Sequence, residues 1–286
     1  MSLFAFVQLE FPWALGPADG RYLIRGHAGQ PSHVLVIGTL GTQERRRQLS
    51  RRRARPRSAE PLPDPAPVVT ARVTLVHAEP LPHSAAAQKW VSSTDLATEA
   101  DRAILVLNRV LHSHRTAAMD PHTREVTRTQ ALVIRAGVGE GEAVAHGRWS
   151  DAVDLPQPVR PAAGRQASLL HPQERLAAVL GGRDVALAAE ELTLRARADL
   201  DAGRGREAAL QLRIALEAAL AELVPWAGDT ELRERLHELR ELREGVGKAA
   251  DSALLGGLDE ATSVTVGHAI GRLEAALRVR TSVALR

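Results

Sequence analysis

The 286-residue sequence contains no cysteine. Disulfides, thiolate zinc sites, iron–sulfur clusters and cysteine nucleophiles are therefore excluded. Aromatic residues make up only 3% of the chain, and tyrosine occurs once. Lysine is confined to Lys89 and Lys248, and Asn108 is the sole asparagine. Arginine and alanine richness with so little lysine is what codon bias in a GC-rich bacterial genome produces. It counsels against reading every arginine as functional. A hyperthermophile signature would instead enrich lysine and glutamate together. No apolar run approaches the ~18 residues needed to span a bilayer. The first ten residues lack a basic stretch before an apolar one and alternate like a strand, so the expectation is a cytoplasmic chain with no membrane partner.

What is present fits a globular protein. Apolar residues are 44% and charged residues 25% of the chain, and its length suits two domains. The net charge of +3 is unevenly placed: residues 1–150 hold 19 basic and 13 acidic groups, residues 151–286 hold 18 and 21. A nucleic-acid-binding domain usually shows a stronger and more clustered bias.

The pattern predicts an α+β protein. Its N-terminal domain, 1–155, is a mostly antiparallel sheet with one long helix. Both faces of residues 3–9 are apolar, which marks a strand buried on both sides. Further strands are expected over Arg21–Arg25, His33–Ile37 and Val68–Val76, with a glycine turn at Gly38. Ala131–Arg135 and Glu142–His146 flank a glycine-rich turn and read as a β-hairpin. Between them, Leu96, Ala100, Ala103, Ile104, Leu107 and Leu111 recur at helical spacing, after Ser93 or Thr94 as cap and before Asp120-Pro121. Residues 43–66 break the pattern with eight arginines followed by a run of prolines, which predicts a mobile loop.

Pro156, Pro158, Pro161 and Gly164 mark a linker over 156–168. Residues 169–286 read as five helices. The fourth carries Leu232, Leu236, Leu239 and Leu242 and is expected to stop at Gly245-Val246-Gly247. The last, 258–280, buries Ile270, Leu273 and Leu277 and shows a row of small residues, Gly267, Gly271 and Ala275. Leucine stripe and small-residue row suit an oligomer interface and internal bundle packing equally. Ala196, Gly203, Ala208, Leu212 and Ala215 keep the spacing of a tetratricopeptide hairpin, and 190–224 resembles one such repeat. Asp199 stands where that repeat has an aromatic residue, and there is no second copy.

Candidate chemistry is sparse. Arg45, Arg46, Arg47, Arg51, Arg52, Arg53, Arg55 and Arg57 could neutralise phosphates of RNA or DNA. No aromatic platform lies between Tyr22 and Trp90 to stack bases. Residues 34–42 run from a strand into glycines but lack the Gly-Lys-Ser/Thr of a phosphate loop. Arg109 and His114 are similar to the Arg-x4-6-His pattern of helical nucleotide-binding ribonuclease domains. There the arginine binds phosphate and the histidine transfers protons. His112, His114, Asp120 and His122 are suitable metal ligand types, without a ligand spacing that selects a metal. No Gly-x-Ser-x-Gly is present. The expectation is a non-catalytic interaction or scaffolding module without a cofactor. It meets a protein partner, or itself, through the helical domain. The alternatives are nucleic-acid binding through the arginine cluster, and a phosphodiester- or metal-dependent enzyme around Arg109, His112, His114 and His122.

Overall fold

A computed structural model describes residues 2–26, 28–41, 69–158 and 172–284. The arginine- and proline-rich stretch 43–66, and the expected linker from 159 onward, lie outside the described residues. The chain divides into two compact units, 1–160 and 161–286.

The first unit is built on one antiparallel sheet. Strands β1 (Leu3–Phe11), β2 (Gly20–Arg25), β3 (Pro31–Leu40), β4 (Thr70–His77), β5 (Val133–Glu140) and β6 (Asp151–Asp154) lie in the order β2-β3-β4-β1-β5-β6. Strand alternation puts Val7, Leu9 and Phe11 on one face with Leu35, Ile37, Val73, Leu75 and Ile134. The long helix α2 (Leu96–Ala118) covers this face with the predicted Ala100, Ala103, Ile104, Leu107 and Leu111. Asp95, rather than the expected Ser93 or Thr94, which end the preceding helix, caps it, accepting from the backbone N–H groups of Ala97 and Thr98 at 3.1 and 3.2 Å. A shorter helix, α1 (Ser84–Ser93), precedes it and was not legible, because only Ala87 in it is buried.

The opposite face explains why β1 is buried on both sides. Phe6 packs there with Val76, Val144 and the Trp149 ring, 6.1 Å from its own. Beside them, register partners Thr74, Gln8, Arg135 and Asp154 form a polar row across four strands. Gln8 Nε2 donates to Thr74 Oγ1 at 3.0 Å, Arg135 donates to Gln8 Oε1 at 3.0 Å and to Asp154 at 2.6 Å. A fully buried amide thus has its hydrogen-bonding capacity met, as burial demands.

The expected hairpin is corrected here. β5 runs on through the glycines to Glu140, residues 141–146 form a 3-10 turn, and the returning strand is β6. The glycines serve close approach rather than a turn. A Cβ on Gly137 would sit 2.2 Å from the Asp151 carbonyl oxygen, and one on Gly139 would sit 2.5 Å from Val144.

The second unit is helical: α3 (Pro172–Leu180), α4 (Ala188–Asp201), α5 (Gly205–Glu222), α6 (Thr230–Leu255) and α7 (Glu260–Ala284). Gly203, at φ +75°, makes the tight turn between α4 and α5. The expected stop at 245–247 is corrected: α6 continues through both glycines to Leu255. Val246, Ala249, Ala250 and Ala253 are buried there, and tertiary packing outweighs the ~1 kcal/mol helix penalty of each glycine. Leu232, Leu236, Leu239, Ile270 and Leu273 all belong to one internal core, so the leucine stripe is bundle packing. Of the small-residue row, Gly267 accommodates Leu200 of α4, while none of the described residues comes within 4 Å of a Cβ placed on Gly271.

Candidate functional site

In the helical unit, α3, α4 and α7 enclose a groove of about 630 Å³. Its walls include Leu176, Val179, Leu187, Leu194 and Leu277. Leu176 and Leu194, 52% and 64% exposed, open together into this cleft, and a shared apolar patch, rather than one exposed leucine, is what marks a surface. Gly181-Gly182 ends α3 and aims the next turn so that Asp184 reaches α7. Arg280, wholly buried, donates to both Asp184 oxygens at 2.6 and 3.0 Å and lies 4.5 Å over the Trp226 ring. Arg175 bridges Asp184 at 3.3 Å and both Glu190 oxygens at 2.6 and 2.7 Å. Burial works against the charge of Asp184, but hydrogen bonds from Arg280, the Val185 N–H and Arg175 outweigh it and hold its carboxyl below the usual range. Two guanidiniums and two carboxylates thus balance and fix the cleft wall. Glu274, also in the lining, is taken by Arg197 at 2.8 Å. Arg278 makes no ion pair among the described residues, and Glu191 meets only exposed Arg195.

The sheet unit holds a second cavity of about 630 Å³ between the sheet and α2. His33 and His77 are register partners on β3 and β4, so their rings face α2 side by side, edge-on at 4.9 Å. His77 Nε2 lies 3.8 Å from the Glu99 carboxylate, beyond hydrogen-bond length. Glu99 is nearly buried and receives Arg102 at 2.5 Å. His33 is pushed down to about 4, first by burial, then by His77 and Arg109, with Glu99 pulling the other way. Burial also lowers His77, against the pull of Glu99.

The residues singled out by sequence are distributed differently. Arg109 lies on α2 near enough to act on His33. Because α2 is helical through Ala118, Arg109 and His114 point about 140° apart around its axis. His114 packs beside Gly16 and Thr123 at the far end. Asp120 accepts from the His122 N–H and the Thr123 hydroxyl, each at 2.9 Å, and these bonds, with His122 and His114 nearby, hold its carboxyl low. The structure therefore gathers His114, Asp120 and His122 at one end of α2. His112 sits half-buried on the helix, its carbonyl accepting from Thr116. Among the described residues, no group of three or more His, Asp or Glu is placed to hold a metal ion, and no helix is long and apolar enough to cross a membrane. The cluster Arg45 to Arg57 lies outside the described residues.

Sequence reasoning missed His33, His77 and Glu99, and missed Arg175, Asp184 and Arg280. The pairing of His33 with His77 could be found only with the strand register, since 44 residues separate them. Compared with known protein families, curated proteins and solved structures, the chain matches none of them.

Proposed function

We propose that the chain acts by non-covalent binding, as a protein-interaction module, and that the groove between α3, α4 and α7 receives an amphipathic helix of a partner protein. The observation that carries this reading is the convergence of exposed Leu176 and Leu194 on a cleft whose wall is braced by ion pairs. Helix-in-groove recognition uses apolar anchors at i, i+3/i+4 and i+7, which need an apolar trough of this kind. A braced wall lowers the ordering penalty of association. The rim sets the partner's chemistry: Arg278, with no ion pair among the described residues, calls for an acidic residue beside the apolar face of the incoming helix. A hydrolytic or proton-transfer role is disfavoured, because Glu190 and Glu274 are already committed to arginines and the lining hydroxyls of Thr193 and Thr281 donate to helix carbonyls.

The test is photo-crosslinking from a reactive side chain at Leu176 in the full-length protein, with sequencing of the captured peptide. The expected peptide has apolar residues three or four apart and an Asp or Glu within one turn of them. Leu194→Asp should abolish its capture. A captured peptide without that pattern, or capture indifferent to Leu194→Asp, refutes the reading. A peptide from a second copy of this chain would replace the partner by self-association.

A further inference from the structure

We propose that the cavity between the sheet and α2, faced by His33 and His77, is a binding site for a small organic anion with an apolar body. The residues all lie in the sheet unit, so this inference stands apart from the groove. The walls supply the apolar part: Leu75 from β4, and Ala103 and Val106 from α2. The volume of about 630 Å³ is within the ~300–1,000 Å³ usual for ligand clefts.

The polar part follows from the hydrogen bonds. The Ser32 hydroxyl donates to the Ile24 carbonyl at 3.1 Å, so its oxygen accepts from His33 Nδ1, 3.2 Å away. That fixes the proton of neutral His33 on Nδ1 and leaves Nε2 with no partner among the described residues. His77 likewise makes no hydrogen bond there, its approach to Glu99 being 3.8 Å. His77 also packs edge-on to Trp90, ring centroids 6.1 Å apart, yet both half-buried imidazoles keep ring nitrogens unengaged among the described residues, which ring packing alone does not require. A packed core would favour apolar residues at both strand positions.

Charge selects the occupant. The cavity lining around the imidazoles holds Glu99 and Arg102 on α2 and Glu79 at the exposed mouth, while exposed Arg109, further along α2, acts on His33 from outside the lining. Glu99 is compensated by Arg102, whereas Arg109 has no ion pair among the described residues. Two carboxylates and two guanidiniums leave the surroundings electrically balanced while the histidines are neutral. A cation would lie near the charge of Arg109, which has no ion pair among the described residues. An anion draws on Arg109, and it gains cationic donors in the lining when protons enter with it and charge one or both imidazoles. Binding is therefore coupled to proton uptake in this cavity.

Titration calorimetry of the full-length protein tests this, with phenyl phosphate and benzoate as probes, inorganic phosphate as a head group without a body, and benzylamine as the cation. At least one of the two organic anions should bind more tightly than inorganic phosphate. Its heat should vary with the ionisation enthalpy of the buffer, as proton uptake requires. Affinity should rise by up to ~tenfold per pH unit from pH 8 to pH 6 for each proton taken up. His33→Gln and His77→Gln should remove that pH dependence. Arg109→Leu should weaken binding about tenfold and Arg109→Lys should retain it, with thermal unfolding of each variant checked against the parent. Silence with both organic anions at millimolar concentration overturns the proposal. So does binding without proton uptake, or benzylamine binding as well as the anions.

Discussion

Replacing Asp184 by alanine should be among the most damaging single changes in the helical unit. Arg280 has no exposed surface, and Asp184 supplies its two shortest contacts, at 2.6 and 3.0 Å. What remains after Asp184→Ala is the Val185 carbonyl at 3.3 Å and the face of Trp226. Removing one partner of a buried pair strands the other charge, at about 3–5 kcal/mol. The remaining carbonyl and ring place the expectation near the lower end. Replacing both members by apolar residues removes both desolvation penalties. Arg280→Met with Asp184→Leu should therefore recover to within about 1 kcal/mol of the parent, with Arg175 still held by Glu190. Urea unfolding of the full chain, followed by helical circular dichroism, reads the loss as a midpoint shift at constant slope. A loss below about 1 kcal/mol for Asp184→Ala would refute the reasoning, as would a double variant no better than the single. Acid offers a second check. The folded carboxyl of Asp184 is held below its usual range, so its contribution is present above the unfolded value near pH ~4 and is lost as pH falls through the folded value.

Other outcomes follow from the sheet unit. Gly137→Ala should push β6 off β5 and lower stability by about 1–3 kcal/mol in urea unfolding, because its Cβ has no space against Asp151 and Ala152. Gln8→Leu should lose about 1–3 kcal/mol by the same measurement, since Thr74 and Arg135 lose their buried partner. Asp95→Ala should lose about 1 kcal/mol through the cap of α2. His33 sets a different pH window: its folded value of about 4 lies below the unfolded ~6.5, so the unfolded chain takes up the proton first as acid is added. Stability should fall between those values by about 1–2 kcal/mol, discounted because the ring is only half-buried, and His33→Gln should flatten that slope.

The parts of the fold legible in the sequence are those with a clean period. Residues 3–9 are apolar on both faces, and β1 is one of the two middle strands and contributes to two cores. The α2 stripe from Ala100 to Leu111 and the core positions of α6 and α7 were readable for the same reason: burial follows a 3.6-residue repeat. Failures arose where a local signal had a non-local cause. Gly137 and Gly139 carry the composition of a turn, yet they are glycine because β6 and Val144 press against β5. Gly245 and Gly247 carry the composition of a stop, yet buried residues on both sides of them keep α6 continuous.

The candidate sites were illegible for a related reason. Sequence motifs favour residues close together in the chain, such as Arg109, His112 and His114. A helix disperses such neighbours around its axis: residues two or five apart face different ways. What the fold gathers is set by register. His33 meets His77 because β3 and β4 pair with those residues opposite, and Glu99 joins them because Asp95 starts α2 one turn earlier. Shifting the β3–β4 register by one residue would turn one imidazole to the other face and leave a lone histidine above α2. The same holds for Asp184 and Arg280, 96 positions apart and joined by the turn after α3. Register and turn geometry therefore decide which of the chain's scattered polar residues can act together.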